Sequence, residues 1–245
     1  MISFIVPAHN EEAILGETLS ILNASADQAG VPFEIVVADD ASTDRTAEVA
    51  RARGAVVVPV NRRQIAATRN AGARAARGEV FIFVDADTHV PPATIRAALA
   101  ALAAGAVGGG ARIRVEAGAP RWVVWAFAVT TAFMRMAHWA AGCFVFVRRD
   151  AFETVGGFDE QYFATEEIVL SRALKKLGPM VIVPEPVTTS ARKARLYHAG
   201  DLPRLLWKYA LRGKPFVQRR ENLHLWYDGR REKKKRVSGA DTSSG

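Results

Sequence analysis

At 245 residues, with 49% hydrophobic and 24% charged residues, the chain suits one large globular domain and is too balanced for a fibrous or wholly disordered protein. Its single cysteine, Cys143, excludes an internal disulfide and suits a reducing cytoplasm. The net charge of +8 is segregated, because residues 192–236 carry 15 Lys or Arg against 4 Asp or Glu while residues 1–191 carry 18 against 20. The partners expected of that basic region are anionic, diphosphate or phospholipid headgroups, with no nucleic acid.

Residues 2–7 form an apolar run ending in proline, which reads as a first strand rather than a signal peptide, since no basic segment precedes it. A helix is expected over 12–29, with Leu15, Leu19 and Leu22 on one face, followed by a strand over 33–38 that ends in Asp39-Asp40. A helix over 44–53, a strand over 55–59, an Ala/Arg-rich helix over 64–76, a strand over 80–84 and a helix over 92–104 continue the alternation. Beyond it, 108–116 reads as a strand, 122–141 as a helix, 144–147 as a strand, 152–158 as a turn-rich piece and 165–177 as a helix. The apolar stretch 122–134 is stopped by Arg135 and His138, short of the ~18–20 residues that a bilayer requires, so a buried or interface-lying helix is expected. Residues 202–211 are amphipathic, and 233–245 are expected to form a disordered tail.

Strands alternating with helices of this length predict an α/β fold with a doubly wound, mostly parallel sheet and helices on both faces. The expected organisation is a catalytic domain over 1–200, made of a binding half (1–106) and a smaller acceptor-side half (107–200), with a basic helical extension over 201–232. Ligands of such sheets lie outside the C-terminal strand ends, which puts residues 7–12, Asp39-Asp40 and 85–87 around one cleft.

Asp85-Ala86-Asp87 is the sharpest cluster. Carboxylates at i and i+2 leaving a strand face the same way and can share a Mg²⁺ or Mn²⁺ ion, a hard cation that takes oxygen ligands and completes its shell from phosphates. Asp39-Asp40 fits either a helix cap or an acceptor for a nucleobase N–H. Arg69, near Arg62 and Arg63, offers a guanidinium fork to phosphate or a solvated helix face. Glu166-Glu167 opens a helix, where either residue can act as a general base and where the dipole predicts a low pKa, although acidic residues are also ordinary at helix starts.

Together these residues resemble glycosyltransferase family 2, with the GT-A fold. The resemblance rests on Phe-Ile-Val-Pro-Ala-His-Asn-Glu-Glu (4–12), Val-Val-Ala-Asp-Asp-Ala-Ser-Thr-Asp-Arg-Thr (36–46) and Ala-Thr-Arg-Asn-Ala-Gly (67–72) leading to Asp85-Ala86-Asp87. Gly-Gly-Phe-Asp-Glu (156–160) followed by Glu166-Glu167 completes it, so that it spans roughly residues 2–190. It implies a nucleotide-diphosphate sugar donor, UDP by default, with Pro7, Ala8, Glu11 and Asp40 around the nucleoside and Arg69 facing the diphosphate. Asp85 and Ala86 would lie by the donor, and Asp87 would bind the metal with Asp85. The base of an inverting, single in-line displacement would be Glu167, a glutamate where the family has aspartate, with Glu166 as the alternative. Arg192 is expected near phosphate, and His198 is a candidate third metal ligand.

The expected acceptor is a lipid-linked molecule or a glycan, reached by a cytoplasmic site with peripheral membrane contact through 122–141 and the basic region. Two other readings compete: a nucleotidyltransferase, which lacks here the glycine-rich loop it needs after strand one, and a catalytically inactive nucleotide-sugar or anionic-surface binding module.

Overall fold

The structure, a computed structural model, describes residues 1–192, 214–219 and 221. In chain order its first half runs β1 (Ile2–Ala8), α1 (Leu15–Ala29), β2 (Phe33–Asp40), α2 (Thr46–Ala52), β3 (Val56–Val60), α3 (Ile65–Ala75), β4 (Val80–Val84), β5 (Thr88–His89) and α4 (Pro92–Ala103). The second half runs β6 (Gly108–Val115), α5 (Arg121–Met136), β7 (Phe144–Arg148), α6 (Arg149–Thr154), α7 (Glu166–Leu174), β8 (Met180–Thr189) and a short α8 (Lys214–Val217).

All eight strands join one sheet in the order β3-β2-β1-β4-β7-β6-β8-β5. The first half of the chain supplies a wholly parallel block, β3-β2-β1-β4, and β7 is antiparallel to both of its neighbours. From β1 the chain winds one way to β2 and β3, then returns to lay β4 on the other side. That reversal is the switch point of a doubly wound sheet, and the crevice it opens lies outside the ends of β1 and β4.

Strand alternation divides the core into two layers. Phe4, Val6, Ile35, Val37, Ile82 and Val84 face one side with Leu15, Leu19 and Leu22 of α1 and Ile95 of α4. Ile5, Val36, Phe81 and Phe83 face the other, with Ala66 and Ala73 of α3, Phe152 of α6, and Phe158, Leu170 and Leu174. On this second side Phe83 and Phe158 meet edge to face at 4.9 Å and 87°, a geometry that places the positive ring edge on the negative face.

Several expectations are corrected. The strand expected to stop at residue 38 runs on to Asp40, so Asp39 and Asp40 belong to the pleat and face opposite sides of the sheet. The helix expected to reach 141 ends at Met136. Residues expected as a turn-rich piece include part of α6. The ten-residue β8 was not anticipated, because Pro184 and Pro186 argue against a strand flanked on both sides. The sheet accommodates them with a register shift, Ala111 pairing with Val183 and Arg112 with Pro186. No described helix is long and apolar enough to cross a membrane. The amphipathic 202–211 segment and the 233–245 tail lie outside the described residues.

Gly72 shows how closely α3 is laid on the sheet, since a Cβ there would stand 2.6 Å from Ile5 Cγ2. Replacing Gly72 with valine should cost about 1–3 kcal/mol through overpacking, read as a lower urea midpoint at unchanged slope.

Candidate active site

The loops that leave β1, β2 and β4 build the cleft, and short hydrogen bonds knit them to one another. Asn10 N–H donates to Ser42 Oγ at 2.9 Å, and Thr43 N–H donates back to Asn10 Oδ1 at 2.8 Å. Glu11 N–H donates to Thr46 Oγ1, and Thr18 Oγ1 of α1 holds the Ala86 carbonyl, both at 2.8 Å. Pro7 and Ala8 stand in register with Ala38 and Asp39. Four of the five non-glycine residues with positive φ among the described residues, Asn10, Ala41, Arg63 and Thr165, lie in these loops or just before the acidic pair. A β-branched residue such as Thr165 rarely adopts this conformation, and strain of this kind persists where surrounding contacts over-determine it.

Asp40 is occupied from within the chain. Its carboxylate accepts from the N–H groups of Arg62 (2.8 Å), Arg63 (2.9 Å) and Gln64 (3.0 Å) and from Thr68 Oγ1 (2.7 Å). Burial acts to raise its pKa, but these donors outweigh that and hold it below the usual carboxylate value. Asp40 thus fixes the entry to α3. Asp39, on the opposite face, has a buried Oδ1 with no hydrogen-bond partner among the described residues. Nothing in the sequence separates the two aspartates until the strand's last rung is known.

Arg69 is likewise turned inward and is 1% exposed. One terminal nitrogen donates to Glu166 Oε1 at 2.7 Å; the other donates to Asp85 Oδ1 at 2.9 Å and to the Gly142 carbonyl at 2.7 Å. Its guanidinium carbon lies 5.2 Å from the Phe158 ring centre. Rather than an open fork toward a diphosphate, Arg69 joins the Asp85-Ala86-Asp87 turn to the start of α7. Burial alone would weaken its charge, yet Asp85, Glu166 and Glu167 keep it firmly protonated.

Glu166 and Glu167 diverge. Glu166 is 4% exposed and spent on Arg69; Glu167 is less enclosed. A Cβ on Gly142 would lie 3.6 Å from the Glu167 carboxyl carbon and 3.2 Å from the Arg69 nitrogen that binds Asp85, so these groups border one space. Burial, then the neighbouring Glu166 charge, pushes the Glu167 carboxyl up to about 8. The low pKa expected from the helix dipole is therefore corrected, because desolvation outweighs the dipole. Cys143, partly buried against the core, lies within reach of the same charges: burial first, then Asp85 and Asp87, raise its thiol well above the ordinary value.

Arg192 reaches the cleft from beyond β8. Its guanidinium donates to Glu11 Oε2 at 2.7 Å and stands 3.9 Å from Asp87 Oδ2. Among the described residues no group of three or more His, Cys, Asp or Glu side chains forms a metal cage. Asp85 and Asp87 instead fit a hard divalent ion that takes its remaining ligands from phosphate and water. His198 lies outside the described residues.

The profile of Glycosyl transferase family 2 matches residues 3–156. The chain belongs to this family. An undecaprenyl-phosphate 4-deoxy-4-formamido-L-arabinose transferase of Pseudomonas aeruginosa is 41% identical over 103 residues, which cover 39% of this chain and 30% of that protein. The chain thus spans under a third of the length of the curated relatives it matches. The mannosyltransferase of Pyrobaculum calidifontis, solved with GDP-Man and Mn²⁺, superposes with a TM-score of 0.63 at 25% identity, covering 91% of this chain and 68% of that one. S. aureus TarS 1-349, solved with UDP-GlcNAc, gives 0.62 at 20% identity over 82% of this chain and 60% of that one. The fold is the GT-A α/β fold that such family members share.

The sequence did not single out Gly142, Gln64 or Asn70. Gln64 holds the Glu160 and Tyr162 carbonyls, and Asn70 clamps Phe158 through its N–H (2.9 Å) and carbonyl (2.8 Å). Their only sequence signal is adjacency to Arg69 and to the 156–160 turn.

Two outcomes follow from this geometry. Arg69→Met leaves Glu166 buried without its cation and should cost about 3–5 kcal/mol in chemical unfolding, with Arg69→Lys failing to restore the two-sided fork. Glu167 is protonated in the folded chain up to about pH 8 but ordinarily only to its reference value of 4.5. The folded state therefore holds the extra proton between those values, and stability falls as pH rises across that window. Urea midpoints measured from pH 5 to 8 should decline, and Glu167→Gln should flatten the slope.

Proposed function

We propose that the chain transfers a sugar from a nucleotide-diphosphate sugar, UDP by preference, to an acceptor oxygen in a single inverting displacement assisted by a divalent metal. One observation carries this reading: buried Arg69 ties Asp85, on the donor side, to Glu166, at the start of the helix that also bears Glu167. The Pro7–Ala8 strand end and the orphaned Asp39 oxygen line the crevice at the sheet's switch point, where a nucleoside N–H would satisfy that acceptor. Pro7, Ala8, Glu11, Asp40, Ala86 and Arg192 frame the donor in this reading, Asp40 by shaping the loop rather than by direct contact. A divalent ion held by Asp87 and Asp85 supplies positive charge where the leaving diphosphate gains negative charge. Mg²⁺ and Mn²⁺ both suit these ligands.

Glu167 is the base in this reading. Burial pushes both carboxyls up, but Glu166 is committed to Arg69, which leaves Glu167 as the proton acceptor for an incoming hydroxyl. Glu166 serves by holding Arg69, and through it Asp85.

The surface favours a lipid-linked acceptor at a membrane face. On α5, Trp125 is 74% and Met136 82% exposed, with Val124 and Val129 about half exposed, an apolar stripe on a helix too short to span a bilayer. Such a helix can lie in the interface while basic residues beyond 192 meet anionic headgroups.

The test is turnover of UDP- and GDP-sugars with and without EDTA. Asp87→Ala should abolish metal-dependent turnover. For a hydroxyl acceptor, Glu167→Gln should lower kcat about 10²–10⁴-fold. The wild-type kcat/KM should rise with pH toward about 8, because the base must lose its proton. A phosphate acceptor is already largely ionised at neutral pH, so a small Glu167→Gln effect would assign the acceptor as a lipid phosphate instead. Folded protein that turns over no sugar nucleotide would overturn the proposal.

A further inference from the structure

The two aspartates of the 85–87 turn each face a cation of the chain itself. Arg69 holds Asp85 at 2.9 Å, and Arg192 stands 3.9 Å from Asp87 while bonding Glu11 at 2.7 Å. The two arginines are anchored very differently. Arg69 is 1% exposed, tied to three partners, and rises from the middle of α3. Arg192 lies three residues past the end of β8, is 12% exposed at its side chain, and bonds Glu11 through its guanidinium.

What brings Arg192 there is a built contact. The last rungs of β8, Thr188 and Thr189, pair antiparallel with His89 and Thr88 of β5, directly after the aspartate turn. Ser190 N–H then donates to the Asp87 carbonyl at 3.2 Å. Glu116 accepts from Ser190 Oγ at 3.1 Å and from Ala191 N–H at 3.2 Å, and Arg192 N–H caps back onto Ser190 Oγ at 3.1 Å. The backbone leading to Arg192 is thus pinned to the aspartate turn, while the guanidinium at the end of its long side chain can swing.

We propose that Arg192 is a tethered internal cation that balances the charge of Glu11 and Asp87 before a donor binds, competes with a divalent ion for Asp87, and pairs with the donor's diphosphate when metal and sugar nucleotide arrive together. This rests on the proposed donor chemistry but extends it to the order of events. The Arg192 charge near Asp87 and a divalent ion on that carboxylate repel each other, and Arg192, held at 3.9 Å there and bonded at its side chain to Glu11, is less firmly fixed than Arg69, which Asp85, Glu166 and the Gly142 carbonyl hold together. The diphosphate that arrives with the metal supplies the anion that Arg192 gives up, and a planar guanidinium matches two phosphate oxygens. Free metal alone offers no such exchange. The site therefore selects metal together with sugar nucleotide over metal by itself.

Removing the arginine has effects of opposite sign on the two ligands. Mn²⁺ binding to the full-length chain without nucleotide, followed by electron paramagnetic resonance, should be about five- to tenfold tighter in Arg192→Ala, because the competing closed state is gone. UDP or GDP binding in the presence of saturating Mn²⁺, followed by calorimetry, should be about tenfold weaker in the same variant. Arg192→Gln keeps a donor for Glu11 without the charge and should behave alike, which separates the charge from any folding defect; Arg192→Lys should fall between. Mn²⁺ affinity that is unchanged or weaker in both uncharged variants, or absent throughout, overturns the inference. Tighter Mn²⁺ with unaltered nucleotide affinity overturns the transfer of Arg192 to the diphosphate. Tighter Mn²⁺ in variants of a chain that binds neither nucleotide upholds the internal cation and defeats the sugar-nucleotide reading instead.

Discussion

A guanidinium enclosed by protein needs opposite charge around it, and the position of that charge decides where the surrounding chain can go. Arg69 takes one carboxylate from the β4 turn, one from the start of α7, and a carbonyl from the turn between α5 and β7. Three segments distant in sequence are therefore fixed relative to one another by one side chain. Leaving Glu166 without the cation would strand a buried charge, which is far more costly than the pair is stabilising. The aromatic bed of Phe83, Phe152 and Phe158 beneath it supports the guanidinium without competing for its donors.

That constraint also orders the acidic residues by availability. Of the four carboxylates nearest the cleft floor, Asp40 is saturated by the loop it organises, Glu166 is bound to Arg69, and Asp85 shares the same cation. Among the described residues Glu167 borders the cleft without an arginine of its own to bind, and burial beside the Glu166 charge opposes its ionisation. Environment, more than residue type, separates a scaffold carboxylate from a reactive one.

Much of this was legible in the sequence, for identifiable reasons. The strand–helix alternation of the first hundred residues carries strong apolar periodicity, so β1, β2, β4 and the helices between them appear close to their expected bounds. The acidic turn after β4 was visible because it follows an uninterrupted apolar strand. What the sequence concealed were facts of facing and distance. That Asp39 and Asp40 lie on opposite faces depends on the strand running through both, and ending it two residues early leaves their facing undecided. That Arg69 turns inward depends on Glu166, 97 residues away. Strand β8 was hidden by two prolines that normally signal a loop, and with it went the contact that delivers Arg192.

The short α8 has a consequence of its own. Phe163 N–H donates to the Val217 carbonyl at 2.9 Å, and Val217, 3% exposed, packs on Tyr162, four residues before Glu166. The loop that leads into the acidic helix therefore ends against a piece of the cationic C-terminal region. Peeling that piece away would uncover Val217 and break its hydrogen bond to the Phe163 N–H, on the segment that runs into the acidic helix.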